Sequence, residues 1–147
     1  MLMSSRLKLR SSLLILFLLV GCTQARKLNV DGLYAYVHHI KHHTYVIGYQ
    51  ITMPKNDSLK INQLKVTYMT KLPLDRAHPV KASDRFQIKS QKQAKMTYYY
   101  YHGRFSKQER KQLLATRCSY EYLDRRETKQ IQKVIIKNDY PSDPSDF

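Results

Sequence analysis

The ten residues TYVIGYQITM, Thr44 to Met53, set Tyr45, Ile47, Tyr49 and Ile51 on one side of an extended chain and Val46, Gly48 and Gln50 on the other. A period of two, carried by aromatic and β-branched residues, marks a half-buried β-strand. Pro54 cannot donate to a ladder and ends it, and the following PKNDS is a turn. The same texture recurs along the chain. Strands are expected at Leu33 to His39 and at about Leu59 to Thr70, the latter with Leu64, Val66 and Tyr68 on one face and Lys65, Thr67 and Met69 on the other. Lys71 to Asp84 carries Pro73 and Pro79 and reads as a loop or broken edge strand. Phe86 to Lys89 and Met96 to His102 are expected to form a hairpin, and Arg117 to Leu123 and Thr128 to Lys137 a second one around the charged turn DRRE. Only FSKQERKQLL has a helical start. There Ser106 and Glu109 have the spacing of a capping box, which predicts a helix from Lys107 to Leu114.

At 147 residues the chain can bury one core. Its first 21 residues stand apart: three cations, Arg6, Lys8 and Arg10, no acid, and an apolar run from Leu13 to Val20 too short for a comfortable membrane span. The sequel Leu19-Val20-Gly21-Cys22 resembles the lipobox of bacterial lipoproteins. The resemblance implies a signal peptide over residues 1–21, cleavage between Gly21 and Cys22, and a diacylglycerol carried on the Cys22 thiol, with palmitate-type acyl chains in the bilayer. Two chains hold a protein to a membrane where one does not, each buried methylene adding about 0.8 kcal/mol. The implied location is the extracytoplasmic face of the cell membrane, or the outer membrane in a two-membrane envelope, since Thr23 is not the aspartate associated with inner-membrane retention.

The signal holds three of the 26 basic residues and none of the 11 acids, so the chain from Cys22 onward keeps 23 bases against 11 acids, a formal +12. An exported protein of that charge meets anionic headgroups and anionic wall polymers, and export argues against nucleic acid as the partner. Once Cys22 is acylated only Cys118 remains, so no intrachain disulfide can form. Free cysteine is commonly a small buried hydrophobe, which is the expectation for Cys118. Residues 22–29 read as a lipidated tether, 30–138 as the folded domain and 139–147, NDYPSDPSDF less its first residue, as a flexible acidic tail.

About seven strands and one short helix over roughly a hundred residues have the size and rhythm of an immunoglobulin-like β-sandwich. A strand, a capped helical crossing and the closing CSYEYLDRRETKQIQKVII resemble the carboxyl half of small immunoglobulin-like domains in bacterial surface lipoproteins. The antibody hallmarks are missing: there is no tryptophan, and Thr116 stands where a corner tyrosine would precede Cys118.

Two clusters are candidates for function. His38, His39, His42 and His43 place four of the six histidines within six positions. A continuous strand would split them between two faces. A hairpin turning at Ile40-Lys41 would instead oppose His39 to His42 and His38 to His43, with Cβ separations of about 5 Å, close enough for a pair to hold zinc or copper. Against a metal, Lys41 sits at the centre and no carboxylate or thiol lies nearby in sequence. Tyr98 to Tyr101 is the second cluster: one alternating pair enters the core, and the other is left for an outer face suited to protein or sugar contacts. Tyr99 and Tyr101 are taken as that face. No G-x-S-x-G, H-E-x-x-H or P-loop spacing occurs, and four glycines leave little for phosphate-cradling loops. The sequence therefore points to no enzyme and to no cofactor beyond the lipid. It points to a lipid-anchored envelope module that binds a protein or an anionic wall polymer, with metal binding at the histidine turn as the alternative.

Overall fold

The computed structural model describes residues 28–55, 58–85 and 91–137. The signal segment, Cys22, the strand expected at Phe86 to Lys89 and the acidic tail lie outside the described residues. The described elements are β1 (Gly32–Lys41), β2 (Thr44–Met53), β3 (Lys65–Met69), β4 (Gln93–His102), helix α1 (Lys107–Leu114), β5 (Arg117–Tyr122), β6 (Arg125–Gln130) and β7 (Lys133–Lys137). They form an all-β sandwich of two packed sheets, ordered β4-β2-β1-β7 and β3-β5-β6. All pairings are antiparallel except β1 with β7, which is parallel.

Between the sheets lies a core rich in tyrosine. Leu33, Ala35 and Val37 of β1 and Tyr45, Ile47, Tyr49, Ile51 and Met53 of β2 point into it from one side, and Tyr68, Cys118 and Tyr120 from the other. Tyr49 lies flat on Tyr68, with ring centroids 4.3 Å apart and planes 14° from parallel, and so joins one sheet to the other. Phe105 closes one end, 5.3 Å from the Tyr45 ring. Offset aromatic pairs of this kind add about 0.5–1.5 kcal/mol each beyond the area they bury.

The β2 boundaries match the sequence reading, but its half-buried character does not. Every residue of β2 is buried, because the outer face of the larger sheet is itself covered. Tyr36, Val46 and Val80 form a second apolar cluster there, with Tyr34, Ile40, Met96, Tyr98, Tyr100 and Ile135 packed around it. Polar groups on that face are satisfied in place, the Tyr36 hydroxyl donating to Gln50 Oε1 at 2.8 Å.

Three further expectations change. The third strand is shorter than Leu59 to Thr70, because Gln93 takes over the hydrogen bonds that its first half would have made. Its amide donates to the Pro54 and Leu59 carbonyls at 3.0 and 3.2 Å and its carbonyl accepts from the Ile61 amide at 3.0 Å, leaving Ile61–Gln63 as a 3-10 turn. The last strand, expected as one piece from Thr128 to Lys137, is two. The Ile131 amide bonds to Thr116 in the small sheet at 3.0 Å, the Gln132 amide bonds to Leu33 in the large sheet at 2.9 Å, and the chain changes sheets between them. The folded domain also begins before Val30, since Leu28 is already buried in the core.

Helix α1 has the expected bounds and the expected capping box. The Ser106 amide donates to the Glu109 carboxylate at 2.8 Å, which satisfies a group that an uncapped helix would expose. Leu113 anchors the helix in the core, and Thr116 beyond its end meets the Tyr49 hydroxyl at 3.4 Å.

Phe105 links the edge of β4 to the helix and fills the end of the core, so Phe105→Ala should destabilise the domain by about 3–5 kcal/mol. Urea unfolding should show this against a change within about 0.5 kcal/mol for the exposed Lys65→Ala. Equal midpoints for the two variants would contradict the placement of Phe105.

Candidate functional site

The β1–β2 connection is built differently from the turn that the histidine spacing suggested. Lys41 pairs with Thr44, so the two turn residues are His42 and His43, and the register slips by one between His39 and Lys41. His43 takes a left-handed backbone, φ 53°, the conformation that closes a hairpin loop with an adjoining bulge. Its carbonyl is held by the Gly103 amide at 2.8 Å, which pins the turn to the end of β4. The cross-strand partners of His39 and His38 are then Tyr45 and Val46, not His42 and His43.

The four histidines consequently do not converge. His39 is only 2 % exposed and stacks on Tyr45 with centroids 4.5 Å apart, which makes it part of the core wall. His38 points the other way, with Nδ1 3.4 Å from the Asp84 carbonyl oxygen. His42 and His43 are exposed and lie edge to face, 3.7 Å between centroids. Among the described residues no group of three or more His, Cys, Asp or Glu side chains is arranged to hold a metal ion.

The tyrosine assignment reverses as well. Tyr99 and Tyr101 face the core: Tyr101 is 6 % exposed and donates its hydroxyl to the Arg104 carbonyl at 2.9 Å, and Tyr99 meets Tyr49 edge-on at 6.2 Å. Arg76 caps the Tyr99 ring at 5.1 Å. The outward pair is Tyr98 and Tyr100, and the sign of that alternation is set by the register of β4 on β2, which pairs Tyr101 with the buried Tyr45.

What the sequence did not bring together is the far end of the larger sheet. The segment Lys71 to Asp84, expected as a loop or broken edge strand, wraps with Arg85 around β4 from its inner to its outer side. Leu72 is buried in the core, the Asp75 amide bonds the Tyr100 carbonyl at 2.8 Å as a single bridge, and Val80 reaches the outer cluster. Arg85 doubles back to the Val80 carbonyl, with Nη2 at 3.1 Å, and lies over Tyr98. Between this segment, the β1–β2 turn and the end of β4 lies an open groove of about 690 Å³, lined among others by Lys41, Thr44, Asp75, His78, Lys81, Asp84, Tyr100 and His102. All six histidines of the chain thus stand at one pole of the domain.

Both carboxylates in the groove are engaged by their neighbours. Asp75 Oδ1 accepts the Ala77 and His78 amides at 3.0 and 3.2 Å, and Oδ2 lies 2.9 Å from His78 Nδ1 and 3.5 Å from His102 Nε2. Desolvation pushes the Asp75 pKa up, but the bonds from the His78 ring and from the two amides outweigh it and hold the carboxyl below the ordinary range. Asp84 accepts the Tyr100 hydroxyl in a short hydrogen bond, and the Lys81 amide donates to the same phenol oxygen at 3.1 Å. Desolvation and the adjacent Asp84 push the Tyr100 phenol up, so it stays a donor. Lys41 and Lys81 are exposed, and neither forms an ion pair among the described residues. Ser83 also lines the groove, its hydroxyl directed to Asp84 Oδ1 at 3.4 Å.

Cys118 is fully buried, as expected, and burial pushes its thiol pKa up to about 12. In the folded chain this thiol should therefore resist a disulfide reagent at pH 8 and react only on unfolding, a difference read directly by absorbance. His39→Ala removes a buried ring from the core and should cost about 2–3 kcal/mol, against about 0.5 kcal/mol or less for His42→Ala. Equal melting of the two would mean that His39 does not pack as described. No protein family matches this chain, and no curated protein or solved structure is significantly similar to it.

Proposed function

We propose that this chain is a lipid-anchored protein of the cell envelope. It is held at the extracytoplasmic face through Cys22 and carries one non-enzymatic binding module for a protein or an anionic wall polymer. The observation that carries the reading is the polarity of the domain. The described chain enters the fold at Leu28, beside the start of β1, whereas the groove with Lys41 and Lys81 lies at the strand's other end. Ten residues of strand span about 30 Å. The six residues from Cys22 to the entry reach at most about 20 Å. An anchor at Cys22 thus holds the opposite end near the bilayer and presents the groove outward. The formal +12 from Cys22 onward favours a negatively charged partner.

The pairing pattern supports an immunoglobulin-like module. The contacts β1·β2, β2·β4, β3·β5 and β5·β6 correspond to the A·B, B·E, C·F and F·G neighbours of such a sandwich, with α1 at the E-to-F crossing. Two features are its own: residues 71–85 occupy the place of the strand beside β4, and β7 adds a parallel strand beyond β1.

Cys22→Ser should move the protein from the membrane fraction to the soluble fraction or the medium. Retention in the membrane would overturn the anchor. Envelope polymer captured by the unaltered chain should be reduced by Lys41→Ala with Lys81→Ala and unaffected by Tyr101→Phe, and equal capture by all three would remove the groove from the binding surface.

A further inference from the structure

We propose that the anchor-side end of the domain is a membrane-contact surface, with Leu123 entering the boundary between lipid headgroups and acyl chains; this rests on the anchoring at Cys22 above and adds a second contact with the same bilayer. The turn joining β5 to β6 is Leu123-Asp124, closed by the pairing of Tyr122 with Arg125. Leu123 is 77 % exposed, the most open of the three large hydrophobic side chains that stand exposed among the described residues. Its φ is 54°, a left-handed value at the first residue of a two-residue turn, where glycine is the ordinary choice. A leucine there serves neither the backbone nor the core. A side chain that breaks both local rules is fitted to a contact outside the fold.

The turn lies at the end of the domain where the chain enters. Glu121, two residues before Leu123, pairs with Lys65, and the carbonyl of the adjacent Leu64 accepts from Lys95 Nζ at 2.9 Å. Lys95 stands level with Ile51 and, through it, with Leu33 near the start of β1. The six residues from Cys22 to Leu28 reach at most about 20 Å, so an anchored chain keeps this end beside the bilayer. Arg125 and Arg126 follow the turn, and Lys65 is exposed across the small sheet. Of the acids at this end, Asp31 is paired with Lys92 at 2.6 Å and Glu121 with Arg126 at 3.0 Å, while Asp124 is exposed beside Leu123. An apolar tip flanked by arginines suits a bilayer surface, where the tip sits at the acyl boundary and the guanidinium groups lie among headgroup phosphates. A soluble anionic polymer would make no use of the leucine.

The chain has no tryptophan, so one introduced at position 123 reports alone. The test uses the lipidated full chain in vesicles of phosphatidylcholine and phosphatidylglycerol, with and without dibrominated acyl chains. Emission of Leu123→Trp should fall at least about twofold with the brominated lipid, whereas Ala82→Trp, between Lys81 and Ser83 of the groove at the other end, should change by less than about a tenth. No quenching at either position, in chains that float with the vesicles, would overturn the contact while leaving the anchor intact. Equal quenching at both would overturn the orientation, and a blue shift at position 123 without quenching would identify a protein surface as the occupant and overturn the bilayer. Arg125→Ala with Arg126→Ala should reduce the quenching at position 123 by about half or more, and unchanged quenching would overturn the headgroup contact. Leu123→Gly suits the backbone and removes the side chain, so it should hold or raise the melting temperature of the unaltered chain. A fall in melting temperature would show that Leu123 serves the fold and overturn the proposal. Failure of the unaltered lipidated chain to float with the vesicles would overturn the anchor, and this contact with it.

Discussion

Tyr49 resting on Tyr68 is the contact on which the two sheets meet, and most of the remaining architecture follows from keeping that pair dry. The pair joins the middle of β2 to the end of β3, with Thr116 behind the Tyr49 hydroxyl and Cys118 opposite Tyr68 on the neighbouring strand. Among the described residues the one thiol is buried and unbridged, so side-chain packing has to hold these sheets together. Large flat rings do this well because each buries much area while losing few rotatable bonds. The same logic explains His39, whose ring extends the stack by lying on Tyr45 and thereby serves the core rather than a ligand.

The larger sheet poses a second problem, since both of its faces carry aromatic and aliphatic residues. On the inner face they meet the smaller sheet, and on the outer face they are covered by their own neighbours and by residues 71–85. That segment protects the β4 edge, which would otherwise present unpaired backbone groups, using a single backbone bridge at Asp75 and Tyr100. Prolines at 73 and 79 keep it from becoming a full strand. Covering the edge in this way also builds the groove, because the segment leaves β4 near His102 and rejoins the sheet's face at Val80. A site can thus arise as the by-product of edge protection, at the point where the covering segment departs from regular pairing.

Local signals carried much of the fold. The alternation of Tyr45 to Ile51 and the stop at Pro54 define β2, and the Ser106–Glu109 box defines α1, because each depends on neighbours in sequence. Signals that depend on distant residues were silent. Thr128 to Lys137 reads as one strand because nothing local records that Ile131 bonds to Thr116 and Gln132 to Leu33. Whether Tyr99 or Tyr100 faces inward is decided by register on β2, and a one-residue shift exchanges the faces. The histidine turn misled for a similar reason. The turn lies at His42-His43, two residues beyond Ile40-Lys41, so the ladder opposes His39 to Tyr45 and His38 to Val46.

Where the candidate site lies was the least legible feature, and its chemistry shows why. His78 and His102 are ordinary surface residues in sequence, and Asp75 is one acid in a proline-rich loop. Only the bridge to Tyr100 brings them to the same place. Amides, imidazole nitrogens and a phenol meet the Asp75 and Asp84 carboxylates, so the acids hold the covering segment to the end of β4. An exposed ion pair contributes little to stability in any case. The worth of these contacts therefore lies in where they hold the segment rather than in stability.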